Sequence, residues 1–234
     1  MTQFGLLSKL DILQTIPSVI ISKINPAIFH NIGKYLAIKK AFYLSSIEEI
    51  EGDYLEFGIF TGSSFCHAIR CAKSNEKFDE RLKTMHFYGY DSFEGFGDLP
   101  ESDQHRFYSD INFATNYEKV YSRVKRVTDE SRFTISKGFF EETLVGDNPL
   151  KSRIVFIDSD TYSSTALALK YLKSSLQEGT IIILDDFFSY RGSTDKGVAG
   201  AVNVFVNQEK IDLRQISSYG MGGVLMIVTK LNES

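Results

Sequence analysis

Four aspartates, Asp158, Asp160, Asp185 and Asp186, stand in two short clusters directly after apolar runs. Carboxylates gathered in this way repel one another unless protons or a cation lie between them. An all-oxygen donor set without histidine or thiolate suits Mg2+, which keeps several waters in an octahedral shell. A fifth acid, Asp91, also closes an apolar run. A carboxylate in that position can accept two hydrogen bonds from a ribose, or it can start a turn on its own backbone. The stretch Glu56-Phe-Gly58-Ile-Phe-Thr-Gly62-Ser63-Ser64 follows another such run. Its glycines permit positive φ and close approach of a ligand. It departs from the dinucleotide fingerprint, because only two glycines occur, four apart, behind an acid. That acid disfavours a pyrophosphate and favours a ligand with an ammonium group, while a plain tight turn is the bland alternative.

These side chains need elements to hold them. Residues 54–60, 85–90, 131–136, 153–157 and 180–184 read as strands, several of them apolar throughout. Helices are expected over 63–73, with Ser63 or Ser64 as N-cap, and over 163–176 and 197–207. Continuous apolar strands bounded by helices indicate a sheet buried on both faces. Strands at 212–217 and 223–229 have no helix between them, so they should pair as an antiparallel hairpin. The expected fold is α/β: a Rossmann-like, doubly wound, mostly parallel seven-stranded sheet with that hairpin at its C-terminal end. Such sheets bind ligands at the carboxyl ends of their strands. Asp91, Asp158, Asp185 and Asp186 all fall there.

Residues 1–50 read as an N-terminal helical cap on a domain spanning 51–234. Tyr35, Leu36, Ile38, Phe42, Tyr43 and Ile47 recur at helical spacing, with Lys34, Lys39, Lys40, Glu48 and Glu49 on the other side. Pro17 and Pro26 are expected to break the chain ahead of that helix. Leu6, Leu7, Leu10 and Ile12 are candidates for a contact between subunits of a homo-oligomer. The segment 92–117, rich in Gly, Phe, Asp and Ser, is either a lid over a site or a surface insertion.

The chain has 234 residues, 43% hydrophobic and 24% charged, enough for a sizeable core without disulfides or structural metal. A net charge of -4 with no basic block argues against nucleic acid as the main partner. The longest run free of Asp, Glu, Lys and Arg, 215–229, is too short for a membrane span. No secretory signal is read at the N-terminus, because Lys9 and Asp11 interrupt its apolar residues. Cys66 and Cys71 lie five apart on a helix, pointing to different faces, so a reduced, cytoplasmic setting is expected. His30, His67, His86 and His105 are scattered and form no zinc motif.

The turn Glu56–Ser64 resembles motif I of class I S-adenosylmethionine-dependent methyltransferases. The likeness extends along the chain. Tyr88-Gly-Tyr-Asp91-Ser92-Phe93-Glu94-Gly95 resembles the D-S-F-E-G stretch of the macrocin O-methyltransferase family, which methylates sugar hydroxyls. Phe156-Ile-Asp158-Ser-Asp160-Thr-Tyr162 resembles that family's L-D-x-D-x-Y. Gly179-Thr-Ile-Ile-Ile-Leu-Asp185-Asp186-Phe resembles its G-G-x-x-x-x-D-D-Y. The resemblance runs over roughly 34–229.

It implies an S-adenosylmethionine-dependent, Mg2+-assisted O-methyltransferase acting on a hydroxyl of a sugar, glycoside or related small molecule. Glu56, Gly58, Gly62, Ser63, Ser64, Asp91, Ser92 and Phe93 would hold the cofactor. Gly138 and Phe139, with Phe140, could flank its adenine or belong to the core. Asp158, Asp185 and Asp186 would ligate Mg2+, with Asp158 and Asp185 catalytic, and Asp160 is expected to cap the following helix. The general base stays open: Thr161 stands where catechol O-methyltransferases place a lysine, leaving Tyr190, Arg191, His105 or the metal alone. Two extra residues before Leu99-Pro100 leave the lid's shape and the acceptor open. A nicotinamide-dependent oxidoreductase and a noncatalytic S-adenosylmethionine-binding module are the alternatives.

Overall fold

In the computed structural model, which describes residues 10–106, 108, 113–146, 148 and 150–231, the apolar runs become neighbouring strands. The strands are β1 (Asp53–Phe57), β2 (Phe87–Asp91), β3 (Phe133–Lys137), β4 (Ser152–Ile157), β5 (Ile181–Leu184), β6 (Asp212–Tyr219) and β7 (Gly223–Lys230). They form one seven-stranded sheet in the order β3-β2-β1-β4-β5-β7-β6. The first five run parallel, and β7 is antiparallel to both β5 and β6, so the terminal hairpin is as expected.

Among the described residues two helices precede the sheet, α1 (Asp11–Ser22) and α2 (Pro26–Ile47). The longer helices that follow are α3 (Ser63–Asn75), α4 (Tyr117–Lys125), α5 (Tyr162–Leu172) and α6 (Gly197–Glu209). Alternate residues of each strand serve opposite faces. Tyr54, Phe87, Ile154 and Phe156 pack against α2 and α3 through Ile38, Phe42, Phe65 and Ile69. Leu55, Phe57, Val155 and Ile157 meet α5 and α6 through Leu169, Leu172 and Val202.

The register sets the rim of the sheet. Phe57 pairs with Tyr90 and Ile157, and Ile157 pairs with Leu184. The next row is therefore Asp91, Gly58, Asp158 and Asp185, joined along the rim by backbone hydrogen bonds. The Gly58 amide donates to the Tyr90 carbonyl, Asp158 to Phe57 and Asp185 to Ile157, at 2.8, 2.8 and 2.9 Å. The first strand ends at Phe57 rather than residue 60, because Gly58 turns away at φ +89°. A Cβ there would lie 2.1 Å from the Asp158 carbonyl oxygen, so the close approach of the two chain segments requires glycine.

Three local expectations are corrected. Pro17 sits inside α1, forgoing one ladder bond without ending the helix. Pro26 opens α2 at its first turn, where no amide is needed, and the Asn25 side chain caps it by accepting from the Ala27 amide at 2.8 Å. Helix α5 is capped by Thr161, which accepts from the Ser164 amide at 3.3 Å, and not by Asp160. Leu6 and Leu7 lie outside the described residues, while Leu10 and Ile12 are exposed. Both cysteines are buried and free.

A buried arginine helps to fix helix α2 to the sheet. Arg153 of β4 is 1% exposed. Its guanidinium donates to Ser45 Oγ at 2.9 Å, Ser46 Oγ at 2.8 Å and Asp79 Oδ2 at 2.6 Å. Asp79→Ala leaves that guanidinium buried without its counter-charge, and is expected to cost about 3–5 kcal/mol in urea unfolding. Adding Arg153→Met should return much of the loss; a double variant no more stable than the single one contradicts this account.

Candidate functional site

A cleft of about 1340 Å3 opens at the carboxyl ends of the parallel strands. Ligand pockets usually hold about 300–1,000 Å3, so this one has room for two small molecules side by side. Of the residues expected around the cofactor, Gly58, Asp91, Ser92 and Phe139 line it, and Asp158, Asp160, Asp185 and Asp186 form its far wall.

The β1–α3 turn does not present its acid to the cleft. Glu56 is fully buried and accepts hydrogen bonds from Tyr54 Oη and Ser64 Oγ, each at 2.5 Å. Burial pushes its carboxyl up to about 7 against the two donors. Its role in the structure is to brace the turn from beneath. Gly62 caps α3 in the left-handed conformation at φ +73°, Ser63 opens that helix, and Phe93 is buried in the core at φ +61°. Gly138 leaves β3 at φ +145°, just before Phe139. Asp91 accepts from the Phe60 amide at 2.7 Å and the Phe93 amide at 2.6 Å. It thus starts a turn and still faces the cleft. Burial raises its carboxyl, while the two amides oppose the rise.

The acidic wall divides into two parts. Asp185, 2% exposed, turns toward helix α2. Lys34 Nζ lies 2.6 Å from Asp185 Oδ2 and 2.8 Å from Asp158 Oδ2. His30 Nε2 is 3.1 Å from Asp185 Oδ2, and Tyr219 Oη donates to Asp185 Oδ1 at 3.1 Å. The Met221 amide donates to His30 Nδ1 at 3.1 Å, which leaves the ring proton on Nε2, aimed at Asp185. Burial opposes charge on both partners. For Lys34 the two carboxylates outweigh it, and its ammonium is held above the usual range. For Asp185 the donors outweigh it and keep the carboxyl low.

In the second part, carboxylate oxygens of Asp158, Asp160 and Asp186 all lie within 4.8 Å of one another. Burial, with neighbouring carboxylates adding to it, raises Asp158 and Asp160 well above the usual range, against Lys34 in the case of Asp158. Asp160 and Asp186 hold positive φ of +63° and +48°, an unfavourable backbone for non-glycine residues that concentrates at functional sites. Three hard oxygen donors, with a single ammonium against Asp158 and strained backbone at Asp160 and Asp186, fit a divalent cation. Of the four aspartates, Asp160 thus lies with Asp158 and Asp186, while Asp185 is occupied by Lys34 and His30.

Lys34 and His30 were not among the expected site residues. The helical spacing sets Lys34 on the polar side of its helix with Lys39 and Lys40, yet its side chain is only 13% exposed. Helix α2 reaches the site because Gly33 meets the β6–β7 turn; a Cβ there would stand 2.4 Å from the Gly220 nitrogen. A lysine beside a glycine on a cap helix was the available signal. Of the other base candidates, Tyr190 Oη donates to the Asp103 carbonyl at 2.7 Å, and His105 lines the cleft. The described part of the 92–116 loop, including Gly95, Phe96, Leu99, Pro100 and Tyr108, roofs the cleft.

Glu56 gives a pH signature. Its carboxyl lies near 4.5 when solvated and about 7 when folded. A raised acid contributes stability that is complete below 4.5 and lost as pH rises through 7. Glu56→Gln removes that dependence. The stability difference between variant and parent should therefore move in the variant's favour between those pH values, by up to about 3 kcal/mol. Parallel stability curves in urea would show that Glu56 is ionised throughout.

Residues 35–221 match the sequence profile of the family described as Macrocin-O-methyltransferase (TylF). Mycinamicin III 3''-O-methyltransferase of Micromonospora griseorubida is 26% identical over 149 residues, covering 59% of this chain and 56% of that protein. The 8-demethyl-8-(2,3-dimethoxy-alpha-L-rhamnosyl)-tetracenomycin-C 4'-O-methyltransferase of Streptomyces olivaceus is 27% identical over 150 residues, covering 59% and 54%. The match thus spans a little over half the length of these curated relatives. Among solved structures, the O-methyltransferase NovP superposes with a TM-score of 0.67 at 21% identity, covering 85% of this chain and 81% of that one. The calicheamicin methyltransferase CalS11 superposes with 0.66 at 18% identity, covering 96% and 89%. At these identities the structures bear on the fold alone.

Proposed function

The chain belongs to the macrocin-O-methyltransferase family, and on that premise we propose that it is an S-adenosylmethionine-dependent O-methyltransferase acting on a sugar hydroxyl of a glycoside or related small molecule. The observation that carries this reading is the cleft itself. The β1–α3 turn and Asp91 lie on one side, and a carboxylate wall able to take a divalent cation lies on the other. Both curated relatives are named as O-methyltransferases, one acting at the 3'' position of mycinamicin III and the other at the 4' position of a rhamnosyl-bearing tetracenomycin.

In this reading Asp91, Ser92, Gly58 and Phe139 hold the donor, with Asp91 offering its remaining lone pairs to a ribose. Asp158, Asp160 and Asp186 would hold Mg2+. When bound, S-adenosylmethionine supplies an electrophilic methyl group on a sulfonium, and Mg2+ lowers the pKa of a hydroxyl bound to it. The chain's own part is positioning and charge. Lys34 and His30 hold Asp185 ionised and keep the strand ends in register with helix α2. The loop over the cleft excludes water, which strengthens each of these interactions. Two buried free thiols fit a reducing cytosol.

Asp160→Asn and Asp186→Asn are expected to lower turnover on a glycoside acceptor by at least about 100-fold, while calorimetry shows S-adenosylmethionine affinity within about threefold of the parent. EDTA should act on turnover in the same direction. Full turnover in EDTA removes the metal from this reading, and failure of the parent to bind S-adenosylmethionine removes the methyl-transfer reading altogether.

A further inference from the structure

Helix α1 has no buried residue. Its polar positions, Asp11, Gln14, Thr15, Ser18 and Ser22, fall on one narrow arc. Ile12, Leu13, Ile16, Val19 and Ile20 occupy the broad remainder, each 45–63% exposed. An isolated helix of 12 residues is marginal in water even with good helix formers. Such a helix persists when another surface covers its apolar side.

The next helix tells the same story from its outer side. The inner side of α2 buries Ala37, Ile38, Ala41 and Phe42 and presents Lys34 to the carboxylates. The opposite side carries Phe29, Ile32, Leu36, Tyr43 and Ile47, each 43–62% exposed. Their spacing of three, four, seven and four keeps them in one straight stripe, the spacing of a seam between two helices. A helix that is apolar on both sides is covered on both. One side of α2 has the body of the protein; on the other, Tyr43 stacks on Phe78 and the stripe otherwise stays open among the described residues.

The geometry points to a second copy of this chain as the cover: we infer that α2 pairs with α2 of its partner about a two-fold axis, with each α1 laid across the partner's helix pair. Three observations favour an identical partner. The ten apolar side chains leave on the order of 1,000 Å2 open, against the ~800 Å2 per partner of a standard interface. A two-fold contact places each patch against itself, which needs a face without repelling charge. On α1 the face supplies this, since Asp11 is its sole acid or base and lies on the polar arc; on α2 Lys39 and Lys40 flank the stripe, and Lys40 is turned aside to donate to Ser217 Oγ at 3.0 Å. An anionic bilayer, by contrast, selects helices with lysine and arginine along the polar face, and α1 has neither.

The pairing also bears on the site. The helix that would form the two-fold seam on its outer side delivers His30 and Lys34 on its inner side. Association thus stiffens the element that holds Asp185. This inference does not rest on the methyl-transfer reading, since the mass of the assembly is measured without substrate.

The test is sedimentation equilibrium of the full chain at about 1–100 µM protein. The parent should weigh about 53 kDa, twice the 26.5 kDa of one chain. Ile32→Glu with Leu36→Glu should weigh about 26.5 kDa, with unchanged helix content by circular dichroism because both side chains are exposed in the single chain. Ile16→Glu with Ile20→Glu should weaken association at least tenfold. A parent that stays at the single-chain mass overturns the inference, and so does an Ile32/Leu36 variant that stays paired. A single-chain parent that floats with phosphatidylcholine vesicles overturns it in favour of a bilayer.

Discussion

Four carboxylates at the ends of two adjacent strands are the constraint around which this molecule is arranged. Asp158, Asp160, Asp185 and Asp186 crowd a partly dry rim where water screens little of their repulsion. Lys34 lies between Asp158 and Asp185, and His30 and Tyr219 satisfy what remains of Asp185. One ammonium cannot balance the whole wall. The strain falls on the remaining group: burial and neighbouring carboxylates raise Asp158 and Asp160, and the backbone of Asp160 and Asp186 is at positive φ. The wall is thus closed on the side of α2 and electrically incomplete on the side of the cleft. A divalent cation and a sulfonium both supply the missing sign of charge.

That arrangement depends on parallel pairing. In a parallel sheet, strands adjacent in space point their carboxyl ends to one rim, and the register here aligns Gly58, Asp91, Asp158 and Asp185 in a single row. The rim is tight: Gly58 approaches the Asp158 backbone too closely for any side chain. Beneath it, Glu56 spends its oxygens on Tyr54 and Ser64, fastening the first strand to the start of α3. The β1–α3 side of the cleft is therefore shaped by backbone, and the carboxylate side by side chains.

Much of this was legible in the residues. Continuous apolar runs can satisfy their backbone and bury both faces only in the middle of a sheet, so the strands and the rim aspartates follow from pattern alone. The final hairpin follows from the lack of any crossover between its strands. What escaped were facts of direction. Glu56 reads as a ligand because it precedes a glycine turn, but strand alternation points it into the core. Lys34 reads as solvated because it neighbours polar positions, but only tertiary docking at Gly33 decides which side of a helix is inside. Asp160 reads as a helix cap, a role that Thr161 one residue later fills; the displaced aspartate is then free to join the acidic group. Each miss lies at the site, where local preference yields to charge and packing.

The roof of the cleft belongs to the same balance. Asp103, fully buried in the 92–116 loop, accepts from the Ser163 amide at 3.0 Å, at the first turn of α5. Its carbonyl accepts from Tyr190 Oη, in the segment that follows Asp185 and Asp186. The loop is therefore fastened to the two stretches that carry the acidic wall, a few residues beyond Asp160 on one side and Asp186 on the other. Neutralising the wall and seating the roof are in this way mechanically linked. A roof held at those points excludes water from the place where charge must be cancelled, and a wall left uncompensated would push apart the segments on which the roof rests.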